Sequence, residues 1–286
     1  MRQNDLVDAS IAAALGSRPL ASHTVGGGCI HCARRLDLSD GRRVFVKSAG
    51  GGQAALLVAE ASGLTLLAGH IRVPRVLGHD VTADGTRWLA LEWLDLLPLD
   101  AAAWADLGRQ LAALHAVTVE RHGLDHDNFI GASPQSNTPA AAWPEFYLER
   151  RLRPQLRLAR AHGHDLSEAG VLALAETVLA GHEPAPALLH GDLWSGNAAA
   201  VPGSTAVVFD PAPYHGDPET DLAMLELFGG PLPEAFFRGY GRSAPDRERR
   251  RPLYDLYHAL NHLNLFGGGY ASMVRRCVEG LRRSGK

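Results

Sequence analysis

The 286-residue sequence predicts a two-lobe α+β fold, with a small β-rich N-terminal lobe and a larger, mainly α-helical C-terminal lobe. Three observations support this class. The length is about twice the roughly 150 residues of a typical domain. Strand-like segments concentrate in the first third of the chain, and helix-like segments dominate the remainder. The expected division is 1–93 for the N-terminal lobe, 94–100 for a linker and 101–286 for the C-terminal lobe.

Composition and charge exclude several classes of protein. The formal charge is −3, from 28 basic and 31 acidic residues, so no nucleic-acid partner is expected. No apolar run approaches the roughly 18 residues of a membrane span, so no membrane contact is expected. The N-terminus carries Asp5 and Asp8 and lacks the basic-then-apolar order of a signal peptide, which predicts a cytoplasmic location. Three cysteines are too few for a disulfide framework.

The N-terminal lobe is predicted to be a sheet with inserted helices. An amphipathic pattern stops at Gly16, which predicts a first helix that ends there. Ser39–Gly41 contains an Asp-Gly pair, which tolerates the positive φ of a tight turn and predicts a hairpin. Its second strand, VFVKS, is expected to end near Lys47. The other predicted elements are helices at 5–15 and from 50–53 to about 68, and strands near 75–80 and 86–92.

The C-terminal lobe is predicted to begin after a proline-containing linker. Pro98 cannot donate a ladder hydrogen bond, so LDLLPLD at 94–100 is not expected to be a strand. Beyond it, only ALLH at 187–190 and AVVF at 206–209 are expected to be strands. The predicted helices span 101–117, 143–161, 167–181, 219–228, 246–266 and 270–283.

The sharpest motif is HGDLWSGN at 190–197, which lies between these two strands. Asp192 and Asn197 are separated by four residues, the Asp–Asn spacing of a kinase catalytic loop. In that loop the Asp accepts the proton of the attacking hydroxyl, and the Asn holds a metal ion that neutralises phosphate charge. Asp210 follows 18 residues after Asp192 and is a second expected ligand for Mg²⁺, which prefers oxygen. The alternative is a carboxylate-rich loop that caps two helices.

Lys47 and Glu60 are predicted to form an ion pair. Lys47 ends the VFVK strand, and Glu60 lies on the next helix. The same helix face carries Leu56, Leu57, Gly63, Leu64 and Leu67. A carboxylate on an apolar face is unfavourable unless it is paired, so Lys47 is the expected partner, as in the strand Lys–helix Glu pair of kinases. The small Gly63 beside Glu60 indicates a close backbone approach. The alternative is an exposed Glu60 and an unrelated surface lysine.

Two further segments are candidates for nucleotide contact. GGGC at 26–29 lies between strand candidates, and glycines let backbone N–H groups approach phosphates, although the G-x-G-x-x-G spacing is absent. LALEWL at 89–94 ends at the linker, where backbone groups could meet an adenine edge. The alternatives are a plain loop and an ordinary edge strand. The candidate residues are Gly26, Gly27, Gly28, Glu92, Trp93 and Leu94.

With these parts named, the chain resembles the fructosamine kinase (ketosamine-3-kinase) family. This family lies within the protein-kinase-like superfamily, which includes aminoglycoside and choline kinases. The resemblance covers nearly the full length. It is carried by HGDLWSGN at 190–197, DPAPYHGDPETDLAM at 210–224, and the blocks at 128–156 and 256–270.

The resemblance implies a protein-kinase-like fold and a kinase that uses ATP and Mg²⁺. Its acceptor would be the 3-hydroxyl of a ketosamine, the rearranged product of a reducing sugar and an amine. The 3-phosphate then eliminates spontaneously and frees the amine, which amounts to repair of glycated protein or metabolite. Whether the substrate is free or protein-linked, which sugar it carries, and whether the enzyme is a monomer or a homodimer stay open.

The resemblance also implies a role for each matching residue. The implied roles are general base for Asp192, Mg²⁺ ligands for Asn197 and Asp210, phosphate binding for Lys47 with Glu60, adenine contact for 92–94, and support of the catalytic loop for His190 and Asp221. His215 and Asp217 depart from the family's expected Tyr and basic or imidazole residue, which puts local substrate contacts in question. Asp210-Pro-Ala replaces Asp-Phe-Gly, so no phenylalanine switch is expected.

Three residues have weaker candidate roles. Trp194 could stack on the C–H face of a sugar, or it could pack beneath the loop. His262 lies on a polar stripe of the 246–266 helix, which either lines the acceptor pocket or forms an ordinary inter-helix face. Cys29, in the glycine segment, could be an exposed thiol whose oxidation blocks ATP or links two chains, and Cys32 is the other candidate for redox control.

Two rival functions remain at this point. One is a small-molecule hydroxyl kinase of the aminoglycoside or choline kinase type. The other is a catalytically inactive pseudokinase that binds nucleotide. The five residues that phosphoryl transfer requires are all intact, which disfavours the second rival; they are Lys47, Glu60, Asp192, Asn197 and Asp210.

Overall fold

The structure, a computed structural model, describes residues 3–26, 32–241, 244 and 246–285. Of the predicted site residues, Gly27, Gly28 and Cys29 lie outside the described residues. All the others are described, and the α+β class predicted from the sequence is confirmed. Within the described part of the chain, no helix has the length and apolar character needed to cross a bilayer.

The N-terminal part contains a five-stranded antiparallel sheet with one helix on each side. The strand order is β1-β2-β3-β5-β4, and all neighbouring strands are antiparallel. The turn between the second and third strands contains Gly41 at φ +84°, so the predicted hairpin is confirmed. The elements are helices α1 (Gln3–Leu15) and α2 (Ala54–Leu67), and strands β1 (Pro19–Thr24), β2 (Cys32–Leu38), β3 (Arg43–Ala49), β4 (Val76–Val81) and β5 (Arg87–Glu92).

Each face of this sheet packs on its own hydrophobic cluster. Val7 and Ile11 of α1 are fully buried against one face, which also contributes Trp88. Leu57 and Leu64 of α2 pack on the other face, in a cluster that continues into the C-terminal part. Since side chains alternate between the faces of a strand, β3 and β5 supply residues to both clusters. The sheet is therefore covered on both sides, and α2 is held between it and the remainder of the chain.

The C-terminal part is mainly helical. A short π-helical turn, Leu148–Leu152, joins α4 to α5, so the predicted 143–161 helix is present with an irregular centre. The helices are α3 (Ala101–His115), α4 (Trp143–Tyr147), α5 (Arg153–Ala161), α6 (Glu168–Leu179), α7 (Glu219–Gly229), α8 (Glu234–Tyr240), α9 (Arg247–Phe266) and α10 (Ala271–Ser284).

The expectation of only two strands in this part is wrong. Six short strands form three antiparallel pairs, β6–β7, β8–β11 and β9–β10. The predicted strands correspond to β8 and β10, which lie within the apolar runs ALLH and AVVF; all six strands have only three or four residues, too few for a periodic pattern to show. Helix α8, with seven residues, was missed for the same reason. The strands are β6 (Asn128–Ile130), β7 (Ser133–Gln135), β8 (Ala187–Leu189), β9 (Ala198–Val201), β10 (Thr205–Val208) and β11 (Tyr214–Gly216).

The segment at 94–100 joins the two parts and is itself tied to the second. Leu97 and Ala200 exchange two backbone hydrogen bonds of 2.8 Å, so the segment is anchored to β9. Asp100 then begins α3, because its carboxylate accepts the backbone N–H of Ala103 at 2.8 Å. The Ser204 hydroxyl donates to the same carboxylate at 2.7 Å.

Asp255 on α9 is predicted to make stability depend on pH. Its carboxyl is largely buried, 3.6 Å from Arg251, and within the described residues its Oδ1 has no hydrogen-bond partner. Burial raises the pKa of Asp255 to about 7. Because the folded state holds this proton more tightly than the unfolded state, the free energy of unfolding is highest at acidic pH and falls as pH rises through about 7.

We expect Asp255→Asn to remove that loss. The melting temperature of the variant, relative to that of wild type, should rise by roughly a few degrees between pH 5 and pH 8. Calorimetry at the two pH values measures this difference. Asp165→Asn, at an exposed position, is the matched control and should follow wild type. Parallel pH profiles for wild type and Asp255→Asn would contradict the assignment.

Candidate active site

A cavity of about 540 Å³ lies between the five-stranded sheet and the C-terminal part. Its wall combines residues that are far apart in sequence, and the two ends of one ion pair, Lys47 and Asp210, are separated by 163 positions. The predicted catalytic and ligand residues all contribute to it: Lys47, Glu60, Asp192, Asn197 and Asp210. The convergence predicted from sequence is therefore present.

Lys47 on β3 contacts carboxylates from two other elements. Its Nζ donates to Glu60 Oε1 at 2.8 Å and to Asp210 Oδ1 at 2.5 Å. The Lys47 and Glu60 side chains are only 12% and 10% exposed, so the expected ion pair is present and nearly dry. Burial opposes the charge of Lys47, but the two carboxylates outweigh it and raise the pKa of Lys47 above its ordinary value. The ammonium is therefore charged at neutral pH.

Helix α2 approaches the Asp210 segment closely beside this pair. A Cβ at Gly63 would lie 3.0 Å from Pro213 Cδ and 3.2 Å from Pro211 Cγ. A larger residue would push α2, and with it Glu60, away from the segment. The close approach predicted for Gly63 is thus present, and its neighbours are the two prolines that follow Asp210.

Asp210 has an unusual backbone conformation at the edge of the cavity. Its φ is +55°, which is uncommon outside glycine, and it follows two residues after the end of β10. Burial in the cleft would raise its pKa, but the neighbouring Lys47 ammonium holds the pKa of Asp210 below its ordinary value. The side chain is 48% exposed because it borders the cavity. The carboxylate is therefore charged and accessible to a ligand.

The 190–197 loop is held by a buried carboxylate at the start of α7. Asp221, 1% exposed, accepts the backbone N–H of His190 at 2.8 Å and of Gly191 at 2.9 Å, and it lies 3.2 Å from His115 Nε2. Burial disfavours its charge, but these donors hold the pKa of Asp221 below its ordinary value. Gly191 has φ +82°, and a Cβ there would lie 2.0 Å from Ala212 O, so only glycine fits.

Asp192 lies in an electrostatic environment opposite to that of Asp221. Burial, together with the charges of Asp210 and Asp221, raises the pKa of Asp192 to about 7. No ammonium or guanidinium is placed against it in the described residues, in contrast to Asp210. A carboxylate with this pKa accepts a proton near neutral pH. Asn197 closes the loop: its Nδ2 donates to the Asp192 carbonyl at 2.9 Å.

The other predicted nucleotide-contact residues border the same cavity. Gly26, Trp93 and Leu94 line it, and so does Glu92. Glu92 is already engaged, because its backbone N–H donates to Arg75 O at 2.9 Å and its carboxylate pairs with Arg72 at 2.9 Å. The backbone N–H and the carboxylate of Glu92 are therefore not open to an adenine edge.

Trp194 and His262 lie on one side of the cavity. Trp194 lines it and is 37% exposed, so it is not buried beneath the loop. His262 does not line the cavity but is one ring away, because both residues contact Phe228. The His262 Nδ1–H donates to His258 O at 2.9 Å, which fixes the ring.

His215 and Asp217 do not line the cavity. The two departures from the family's expected residues therefore lie outside it. Asp217 is buried and accepts the Tyr254 hydroxyl at 2.5 Å and lies 2.6 Å from His182 Nε2. His215 pairs through its backbone with Gly123. Both residues serve the packing of the C-terminal part.

The β6–β7 hairpin supports the Asp210 segment, a role that the sequence reasoning missed. Asn128 Nδ2 donates to Pro213 O at 2.8 Å, and Gln135 Nε2 donates to Ala212 O at 3.2 Å. Tyr257 in turn donates to Gln135 Oε1 at 2.7 Å. Sequence reasoning missed Asn128 and Gln135 for two reasons. Their side chains are uncharged amides, and each lies on a strand of only three residues, which is too short to show a pattern.

Comparison with known proteins gives a consistent result. A family model described as fructosamine kinase matches residues 5–284. A Synechocystis protein named a probable ketoamine kinase is 43% identical over 268 residues, which cover 90% of both chains. The chloroplastic protein-ribulosamine 3-kinase of Arabidopsis thaliana is 36% identical over 274 residues, which cover 91% of this chain and 82% of the relative.

Solved structures agree on the fold. The structure of a Thermobifida fusca protein named as a candidate fructosamine-3-kinase has a TM-score of 0.86 at 35% identity and covers 97% of this chain and 98% of its own. The choline kinase of Streptococcus pneumoniae has a TM-score of 0.65 at 18% identity and covers 98% of both chains. The second likeness concerns the fold alone.

Two Asp→Asn substitutions in this site are predicted to have opposite effects on stability. Asp221→Asn replaces one acceptor oxygen by an N–H₂ group that faces backbone donors, so we expect unfolding to become easier by about 1–3 kcal/mol. Asp192→Asn removes a charge that burial disfavours at pH 8, so its free energy of unfolding should equal or exceed that of wild type. Chemical denaturation at pH 8 measures both. Equal destabilisation by the two substitutions would contradict the distinction.

Proposed function

The chain belongs to the fructosamine kinase family, and we propose that it is an ATP-dependent kinase for the 3-hydroxyl of ketosamines. The single observation that carries this proposal is the convergence of Lys47, Asp192 and Asp210 on one cavity. Phosphoryl transfer depends mainly on positioning and charge neutralisation, which such a convergence supplies. The nucleotide would lie between the 1–93 and 101–286 lobes, joined by 94–100.

Asp192 is the proposed general base. Its carboxylate would take the proton of the sugar 3-hydroxyl, while the oxygen forms a bond to the γ-phosphorus of ATP and the bond from that phosphorus to ADP breaks. The raised pKa of Asp192 suits this role, because a base works best when its pKa lies near the working pH. Asp221 and His190 hold the loop that carries it.

Lys47 is the proposed phosphate-binding residue. Its ammonium lies between two carboxylates, which fixes it at the cavity wall. Glu60 anchors it from α2. The adenine would lie against the apolar wall that includes Leu91, with Trp93 and Leu94 at its edge.

Asn197 and Asp210 fit a Mg²⁺ ion. The Asn197 amide nitrogen is used by the Asp192 carbonyl, so its amide oxygen is the group left for a ligand. The Asp210 carboxylate is charged and half exposed to the cavity. Two oxygen donors at a phosphate site are the set that Mg²⁺ takes in proteins, and when bound it would neutralise phosphate charge.

The consequence of the reaction would be release of the amine. A phosphate on C3 stands beside the C2 ketone, so enolisation toward C1 allows the phosphate to leave, and water hydrolyses the resulting imine. The enzyme would thus reverse glycation of small amines or of protein lysines. We place it in the cytoplasm, as a monomer or a homodimer.

Product analysis tests the function. We expect incubation with ATP, Mg²⁺ and the ketosamines of ribose and glucose to give ADP and a sugar phosphate with a phosphorus NMR signal coupled to H3. An aminoglycoside and choline serve as parallel acceptors and should give no product. Phosphorylation of either control acceptor in place of the ketosamines, or of no acceptor, would overturn the proposal.

Asp192→Asn tests the base. We expect kcat to fall by roughly 10²–10⁴, the range for loss of a general base. The rise in melting temperature on adding ATP and Mg²⁺ should persist, because the phosphate partners are untouched. The exposed Asp165→Asn is the control for both measurements. Turnover near that of wild type would remove Asp192 from the mechanism.

A further inference from the structure

Five aromatic rings form a continuous surface that starts at the catalytic loop. Trp194 meets Phe228 edge-on with ring centres 6.0 Å apart, and Phe228 lies 4.7 Å from His262. His262 lies 5.6 Å from Phe266 and 5.1 Å from Tyr270. We call this surface, Trp194 with Phe228, His262, Phe266 and Tyr270, the aromatic shelf.

The aromatic shelf is fixed relative to the reacting group. Trp194 is two residues from Asp192, and its indole covers Gly196 so closely that a Cβ there would lie 2.3 Å from the ring. Phe228 lies at the far end of α7, whose first turn carries Asp221, the residue that holds the catalytic loop. Helix α7 thus connects Phe228 to the residue that holds the 190–197 loop, which fixes the inner end of the aromatic shelf relative to Asp192.

The outer end of the aromatic shelf is open to solvent. Phe266 is 53% exposed at the last residue of α9, and the exposed Gly268 and Gly269 follow shortly after it. Single exposed apolar residues are common, but a contiguous aromatic surface that continues an active-site cavity is typical of a ligand contact.

The aromatic shelf carries no net charge. His262 is its only titratable group near neutral pH, and burial lowers the pKa of His262 below its ordinary value. Another part of the cavity wall is charged, with Lys47 and Asp210 in contact there. The two parts therefore suit different portions of the reactants: the triphosphate belongs with the charged residues, and an uncharged or cationic group belongs with the rings.

We propose that the aromatic shelf binds the nitrogen substituent of the ketosamine and selects apolar or aromatic amines over amines that carry a carboxylate near the nitrogen. This inference rests on the proposed function. When O3 is at Asp192, the nitrogen is bonded to C1, two carbon atoms from C3 along the sugar chain. Its substituent therefore lies immediately outside the reaction centre. Ring faces attract an ammonium group and stack on apolar groups, whereas the same faces repel a carboxylate.

A set of ketosamines with one sugar and three amines tests this selection on the wild-type enzyme. We expect KM for the benzylamine adduct to be lower than for the methylamine adduct by roughly twofold to tenfold, the scale of one aromatic contact. The glycine adduct, with its carboxylate, should have the highest KM of the three. Equal KM values for the three adducts would overturn the proposal, whatever happens with the variants.

Phe266→Ala tests the outer end of the aromatic shelf. It should raise KM for the benzylamine adduct by roughly twofold to tenfold, while kcat and the KM values for ATP and for the methylamine adduct stay as in wild type. Phe266→Tyr should restore the wild-type KM, and Leu20→Ala, at an exposed apolar position on β1, is the matched control. An equal change with all adducts would show a structural role and contradict the proposal.

The methylamine adduct separates this inference from the proposed function. Turnover of that adduct with no preference among amines would leave the kinase function standing and overturn the role of the aromatic shelf. Absence of turnover with every adduct would overturn both. If Phe266→Ala does not fold, the comparison of the three adducts on wild type decides alone.

Discussion

The ammonium group of Lys47 is the interaction on which the cavity depends. It lies within hydrogen-bond distance of Glu60 and Asp210, so one buried cation holds carboxylates from α2 and from the segment after β10. Without it, the buried Glu60 carboxylate and the half-exposed Asp210 carboxylate would repel each other across the contact between α2 and the Asp210 segment. The close contact of Gly63 with the following prolines depends on the same balance. This charge pairing adds to the apolar cluster that α2 and the sheet share with the C-terminal part.

Asp192 and Asp221 show how environment separates the roles of identical side chains. Both are partly or wholly buried within the same loop region, but Asp221 receives backbone donors on both oxygens and stays ionised. Asp192 receives none of these and has a raised pKa. One carboxylate therefore serves as a fixed structural acceptor, and the other is free to exchange a proton. The backbone of a single glycine, Gly191, allows both arrangements to coexist.

The cavity wall also varies in its chemistry. Lys47 and Asp210, from β3 and the segment after β10, make one part charged, which suits a triphosphate. Trp194 begins an aromatic and neutral surface that continues to the ends of α7 and α9 and suits the organic part of an acceptor. Asn197 lies in the same turn as Trp194, because its backbone N–H donates to Trp194 O at 2.9 Å.

The α+β class, the long helices and the residues of the 190–197 motif could be predicted from the sequence, because periodicity and the Asp192–Asn197 spacing are local properties. It also indicated the Lys47–Glu60 pair, since a carboxylate on an apolar helix face needs a partner. Three features could not be predicted from the sequence: four of the six short strands of the described C-terminal part, the amides of Asn128 and Gln135 behind the Asp210 segment, and the position of Asp217 away from the cavity lining. These features depend on contacts between residues distant in the chain, and no local pattern records which distant segments will meet.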